Sequence, residues 1–239
     1  MAEDERDRPV IKRYTEPPKD FEPVPACSEN LDAITDHITR HLGEPAMVFH
    51  ELISDAVHID VHHVAPRPDR PFHSLVTSGM SDRPMAFPPG QEEFALAELC
   101  AFLPAEWPVS QEAFADEANY WPVRTLKFLA RFPHKFSTFL SWGHSIPNFD
   151  PPEPYAPNTK LCGTVLIGPG PAPEAFAQLH LDDGRKILFF QLLPVHAAEM
   201  DYKLKHGADA LLERVLKAGW DGLIRPDRPD SCRKRFIFF

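Results

Sequence analysis

Three short groups of residues could carry chemistry. His58, Asp60 and His62 alternate, with His63 beside them. On a strand, alternate side chains project to one face roughly 7 Å apart, and imidazole and carboxylate are ordinary zinc or iron ligands. No HxxxH and no cysteine pair follows to complete a ligand set. A sheet face whose polar side is histidine-rich accounts for the same residues, so no metal or other cofactor is expected. Ser78-Gly79-Met80-Ser81 offers hydroxyls, and Ser81, His144 and Asp82 could be imagined as nucleophile, base and orienting acid. The Gly-x-Ser-x-Gly elbow is absent, and Ser and Asp in a turn ordinarily bond the backbone of that turn. The third group is aromatic: Tyr120, Trp121, Phe132, Phe136, Phe139 and Trp142. Most of these are expected in the core. Trp142-Gly143-His144, however, sits between proline-bounded segments where large rings are hard to bury, and exposed aromatics on a rigid loop are typical recognition anchors. Gly168-Pro169-Gly170-Pro171 is no phosphate loop, because its prolines remove backbone donors. Asp182-Asp183-Gly184 reads as a hairpin turn, since the other calcium-loop positions are missing.

These residues need elements to hold them. Ser28 offers an N-cap for a helix carrying Leu31, Ile34, Ile38 and Leu42 at spacings of three and four, ended by Gly43. Met47–Ile53 and Val57–Val64 read as strands joined at Ser54-Asp55. Phe72–Thr77 is a strand running into the turn Ser78-Gly79-Met80-Ser81-Asp82, and Phe94–Leu103 reads as another. Trp121–Phe132 has helical spacing with Pro122 in its first turn. Leu161–Ile167 and Ile187–Val195 are strands, the second apolar enough to be central. One long helix is predicted over 197–218, with Glu199–Lys203 as a pair on its wet side and Gly219 as its stop. Strands linked without intervening helices point to an α+β fold: a mixed, mostly antiparallel sheet with helices packed on it. Residues 1–27, polar and dotted with Pro9, Pro17, Pro18, Pro23 and Pro25, read as an extension at best partly ordered, and 28–239 as a single domain.

The totals narrow the partners. A formal charge of -10, from 35 Asp and Glu against 25 Lys and Arg, disfavours nucleic acid and anionic membranes, and suits a basic protein. Four scattered cysteines and the charged opening Met1-Ala2-Glu3-Asp4-Glu5-Arg6 predict reduced thiols in a cytoplasm. Cys100 and Cys162 lie in apolar runs and read as core residues.

Several runs, in shared order, resemble the suppressor of fused family, in particular its compact bacterial-type members. They include Arg70-Pro71-Phe72, Leu75-Val76-Thr77-Ser78-Gly79-Met80-Ser81-Asp82, Tyr120-Trp121-Pro122-Val123, Leu126-Lys127-Phe128-Leu129-Ala130-Arg131-Phe132-Pro133, Gly143-His144-Ser145-Ile146-Pro147-Asn148 and Tyr202-Lys203-Leu204-Lys205-His206-Gly207. The resemblance spans roughly residues 45–220. It implies an α+β domain that binds proteins rather than catalysing a reaction. Animal members restrain a zinc-finger transcription factor by holding an extended peptide between two domains through strand addition. The family places an aromatic residue just after a Leu-Ala-Arg helix, which is Phe132 here, and a Ser-Gly-Asp-His run, which is Ser141-Trp142-Gly143-His144 here, without the acid. The length predicts one such domain. Bacterial relatives have been proposed as immunity proteins, which suits an acidic surface facing a basic toxin. The expected contacts are Phe132, Trp142 and His144, with Ser81 and Asp82 beside them. The rival reading is a small hydrolase or metal-dependent enzyme using His58, Asp60 and His62 or His144.

Overall fold

In a computed structural model describing residues 11–15, 30–50 and 57–233, helix α1 (Leu31–His41) precedes strands β1 (Met47–Phe49), β2 (Asp60–Val64), β3 (Phe72–Ser78) and β4 (Ala97–Pro104). Helix α2 (Glu117–Lys135) follows, then β5 (Ser145–Pro147), β6 (Gly163–Ile167), β7 (Gln178–His180) and β8 (Lys186–Val195), and finally α3 (Ala197–His206) and α4 (Ala208–Lys217). The sheet runs β1-β2-β3-β4-β8-β6-β5, with β7 also paired to β8. Every pairing is antiparallel except β4 with β8. A parallel pair needs a long crossover, and the chain between β4 and β8 supplies one containing α2. The fold is the expected α+β, with β8 an interior strand paired to β4, β6 and β7.

Alternation along the strands sorts the core to two faces. Leu99, Ala101 and Leu103 of β4, Leu75 of β3 and Leu192 of β8 meet Trp121, Leu126, Leu129 and Ala130 of α2. The intervening residues Cys100 and Phe102, with Ile187 and Phe189 of β8, meet Ile34, Ile38 and Leu42. Farther along β8, Leu193 and Val195 join Val165 and Ile167 of β6 under Met200, Leu211 and Val215. Helices therefore cover both faces of the sheet. Cys100 and Cys162 are buried free thiols, as their apolar runs predict.

Several boundaries differ from the sequence expectation. Ser28 lies outside the described residues; the residue capping α1 is Asn30, whose side chain donates instead to the Ser81 carbonyl (3.3 Å). Residues 51–56, including the expected Ser54-Asp55 joint, also lie outside the described residues. Phe94 belongs to a short 3-10 turn, and β4 begins at Ala97. Helix α2 starts at Glu117, capped by Asp116, so Pro122 sits inside it rather than in its first turn. Pro122 cannot donate to the Ala118 carbonyl four residues earlier; the Asn158 side chain donates to it instead (3.2 Å). The single helix expected over 197–218 is two, broken at Gly207, whose φ of 87° is costly for residues bearing a Cβ. Glu199 is not on the wet side either: its side chain is fully buried against Arg228.

Candidate functional site

The last two turns of α2 build a row of rings. Leu129 and Ala130 bury the inner side of the helix, while Phe128, Phe132 and Phe136 recur at four-residue spacing. Their centroids lie 6.0 and 4.7 Å apart. Phe128 is half exposed, and Phe132 and Phe136 are half-buried. The chain then turns through Ser137, at positive φ, and buried Thr138 to Phe139. Phe139 packs on Phe87 (4.3 Å) and on the ring of His144 (5.2 Å). The face thus runs from Phe128 along the end of α2 to His144.

The turn Ser141–His144 is pinned to the sheet. Gly143 donates to the Leu166 carbonyl (2.7 Å), and Leu166 donates back to the His144 carbonyl (2.9 Å). Gly143 has a φ of 76°, and a Cβ there would press on Ala208 at 3.2 Å. Trp142 is held in that turn 41% exposed. Burial, with Lys203 and Lys12 nearby, pushes His144 below the ordinary imidazole value, so it stays neutral near pH 7.

The chain's own residues 11–15 lie along this face. Tyr14 meets Phe132 edge-on (5.2 Å, 84°) and Phe136 (5.4 Å), and its hydroxyl bonds that of Thr138 (2.9 Å). Lys12 lies over Phe139 at 5.9 Å, and Arg13 reaches Asp150 at 3.2 Å. Sequence reasoning assigned this segment no contacts. The available signal was an aromatic residue behind two cations, Lys12-Arg13-Tyr14, inside a Pro-dotted extension.

Ser81 lies under the surface. It is 1% exposed, and its hydroxyl and backbone N–H both donate to Glu98 Oε1 (2.7 and 2.9 Å). Thr77 donates to the other oxygen (2.6 Å). Rather than bonding its own turn, Ser81 satisfies a fully buried carboxyl, which burial drives up to about 7. Glu98 went unrecognised because its alternation in β4 reads simply as a strand. Gly79 is required in this turn: its φ is 101°, and a Cβ would collide with the His58 carbonyl at 1.9 Å. His134 of α2 bonds the Met80 carbonyl (2.8 Å), tying the turn, with half-buried Asp82, to the end of the helix.

The histidine group separates in space. His58 and His50 bond the two oxygens of Asp60 (3.1 and 2.9 Å), whereas His62 turns to the Ser78 hydroxyl (2.9 Å). Burial pushes the His62 ring below its ordinary value. Among the described residues no three His, Cys, Asp or Glu side chains are grouped to hold a metal. Ser81, His144 and Asp82 do not form the imagined triad either, because the Ser81 hydroxyl is spent on Glu98.

Another buried carboxylate, Glu199 of α3, holds the segment that follows α4. Arg228 donates through both terminal nitrogens to Glu199 (2.7 and 2.5 Å), and Ser231 and His196 donate backbone N–H groups to it (2.9 Å each). Burial alone would raise this carboxyl, but the Arg228 bonds and charge outweigh it and hold it at about 2.

The family model for the suppressor of fused protein matches residues 55–229, most of the chain. The chain belongs to the suppressor of fused family. Its fold is shared with a protein from Neisseria gonorrhoeae FA 1090 described as a suppressor of fused homolog, at 18% identity and a TM-score of 0.60 over 85% of this chain and 97% of that one. The structure of a Sufu–Fu complex matches at 15% identity and a TM-score of 0.58, covering 88% of this chain and 93% of that one. Drosophila Suppressor of Fused matches at 15% identity and a TM-score of 0.58, covering 89% of this chain but 52% of the fly protein. No curated protein matches the sequence. Among the described residues no helix of this suppressor of fused domain is long and apolar enough to cross a membrane.

Proposed function

We propose that this domain is a non-enzymatic binding module that captures an extended segment of a partner protein on the face running from Phe128 to His144. The observation that carries the reading is the ring row Phe128–Phe132–Phe136, half exposed at Phe128 and half-buried at the other two, with Phe132 directly after Leu129-Ala130-Arg131 on a helix whose inner side is fixed in the core. Anchors of this kind, rigidly held and partly desolvated, concentrate binding energy. Phe132, Trp142 and His144 are the proposed contacts, with Asp82 at the margin; Ser81 acts beneath it by holding the turn. The match to the fold of a Sufu–Fu complex supports a protein as the ligand. The net charge of -10 favours a basic partner, and the finer proposal is a cytoplasmic immunity protein that neutralises a basic toxin. Affinity capture from host lysate with the wild-type chain and with Phe132→Ala tests it. The expected result is one partner retained by the wild type and lost by a variant whose melting temperature is little changed. Equal capture by both chains would refute the site.

A further inference from the structure

Residues 11–15 supply their own account of what the face accepts. Tyr14 is better covered than Ile11, 37% exposed against 63%. It is held by two rings and by a hydroxyl pair with buried Thr138. Two residues earlier a cation sits over Phe139, where an aromatic face attracts positive charge. The Arg13–Asp150 pair is 79% and 70% exposed and adds little.

Resting on the binding face proposed above, we infer that the face selects an extended segment with a basic residue two positions before an aromatic one, and that Lys12-Arg13-Tyr14 is a built-in occupant that a partner must displace. The aromatic residue enters the notch between Phe132, Phe136 and Thr138, and the cation lies on Phe139. A tethered copy acts at an effective concentration on the order of millimolar, so even modest contacts hold the face against a free competitor. Releasing Tyr14 removes that competition without altering the face.

The probe is a fluorescein-labelled peptide of residues 9–17, added in trans to the full chain and followed by fluorescence anisotropy. Full-length Tyr14→Ala is expected to bind it at least tenfold more tightly than the wild type. A Tyr14→Ala version of the peptide should bind at least tenfold more weakly, and adding Phe132→Ala to the Tyr14→Ala chain should abolish binding. Unchanged thermal melting of Tyr14→Ala confirms that only the occupant was lost. Equal affinity for the wild-type and Tyr14→Ala chains, or no binding by either, would overturn the built-in occupant. If Phe132→Ala still lost the captured partner in that case, the binding face would stand. Peptide binding that survives Phe132→Ala would instead overturn the face itself.

Discussion

Segments near the two ends of the chain are both held against the domain, by opposite means. The stretch around Arg228 is locked by a buried, bidentate ion pair to Glu199 with extra N–H donors completing the carboxylate. Residues 11–15 lie on the surface, held by ring edges, one hydroxyl pair and an exposed salt bridge. A buried charge cannot be released without leaving its partner uncompensated, so the first attachment belongs to the fold. Contacts that water can replace are reversible, so the second suits regulation or recognition. The Met80–Asp82 turn lies between these extremes: it closes on a buried carboxyl satisfied by hydroxyls rather than by a cation.

Removing the cation should break the contrast most strongly. Arg228→Ala is expected to cost about 3–5 kcal/mol, because Glu199 would remain buried and unpaired; chemical denaturation measures it. The two carboxyls should next separate by pH. Glu98, raised to about 7, favours the folded state fully below the unfolded carboxyl value near 4.5. That contribution is lost as pH rises toward 7, at a slope of about 1.4 kcal/mol per pH unit. Glu98→Gln should flatten the slope in that window. Glu199, held at about 2, has the opposite sign: its contribution is present above pH 4.5 and lost as pH falls toward 2. Denaturation midpoints across pH 2–8 for the wild type and Glu98→Gln resolve both. Phe132→Ala should reduce partner affinity at least tenfold, about 1.4 kcal/mol, while lowering stability by about 1 kcal/mol. Trp142→Ala, at a 41% exposed position, should change stability by under about 0.5 kcal/mol and still weaken capture. A large drop in melting temperature with capture intact would return Trp142 to a purely structural role.

Apolar spacing alone specified most of the elements. The stripe of α1, the alternation of β2 and β3, the apolar run of β8 and the α+β class are local consequences of side chains that must reach a core. Where propensity and context disagreed, context prevailed. Pro122 is tolerated inside α2 because Asn158 satisfies the carbonyl it leaves open. Gly207 splits a continuous amphipathic pattern because nothing in hydrophobic spacing reports a φ of 87°. The resemblance drew attention to Phe132, Trp142 and His144 from motif order, but their relation in space was not legible there. The structure joins Phe132 to His144 through Phe136, Thr138 and Phe139, and sets Trp142 in a turn pinned to β6.

The sequence by itself determined which side chains are apolar, how they recur and what net charge the chain carries, and these set the fold class. Only the tertiary structure decided which distant side chains meet. Ser81 with Glu98, Glu199 with Arg228, His62 with Ser78 and Tyr14 with Phe132 are separated by 17, 29, 16 and 118 residues. Burial depends on a periodicity each segment carries within itself; a hydrogen bond or ring contact between distant segments depends on where the sheet brings them, and no local pattern encodes that.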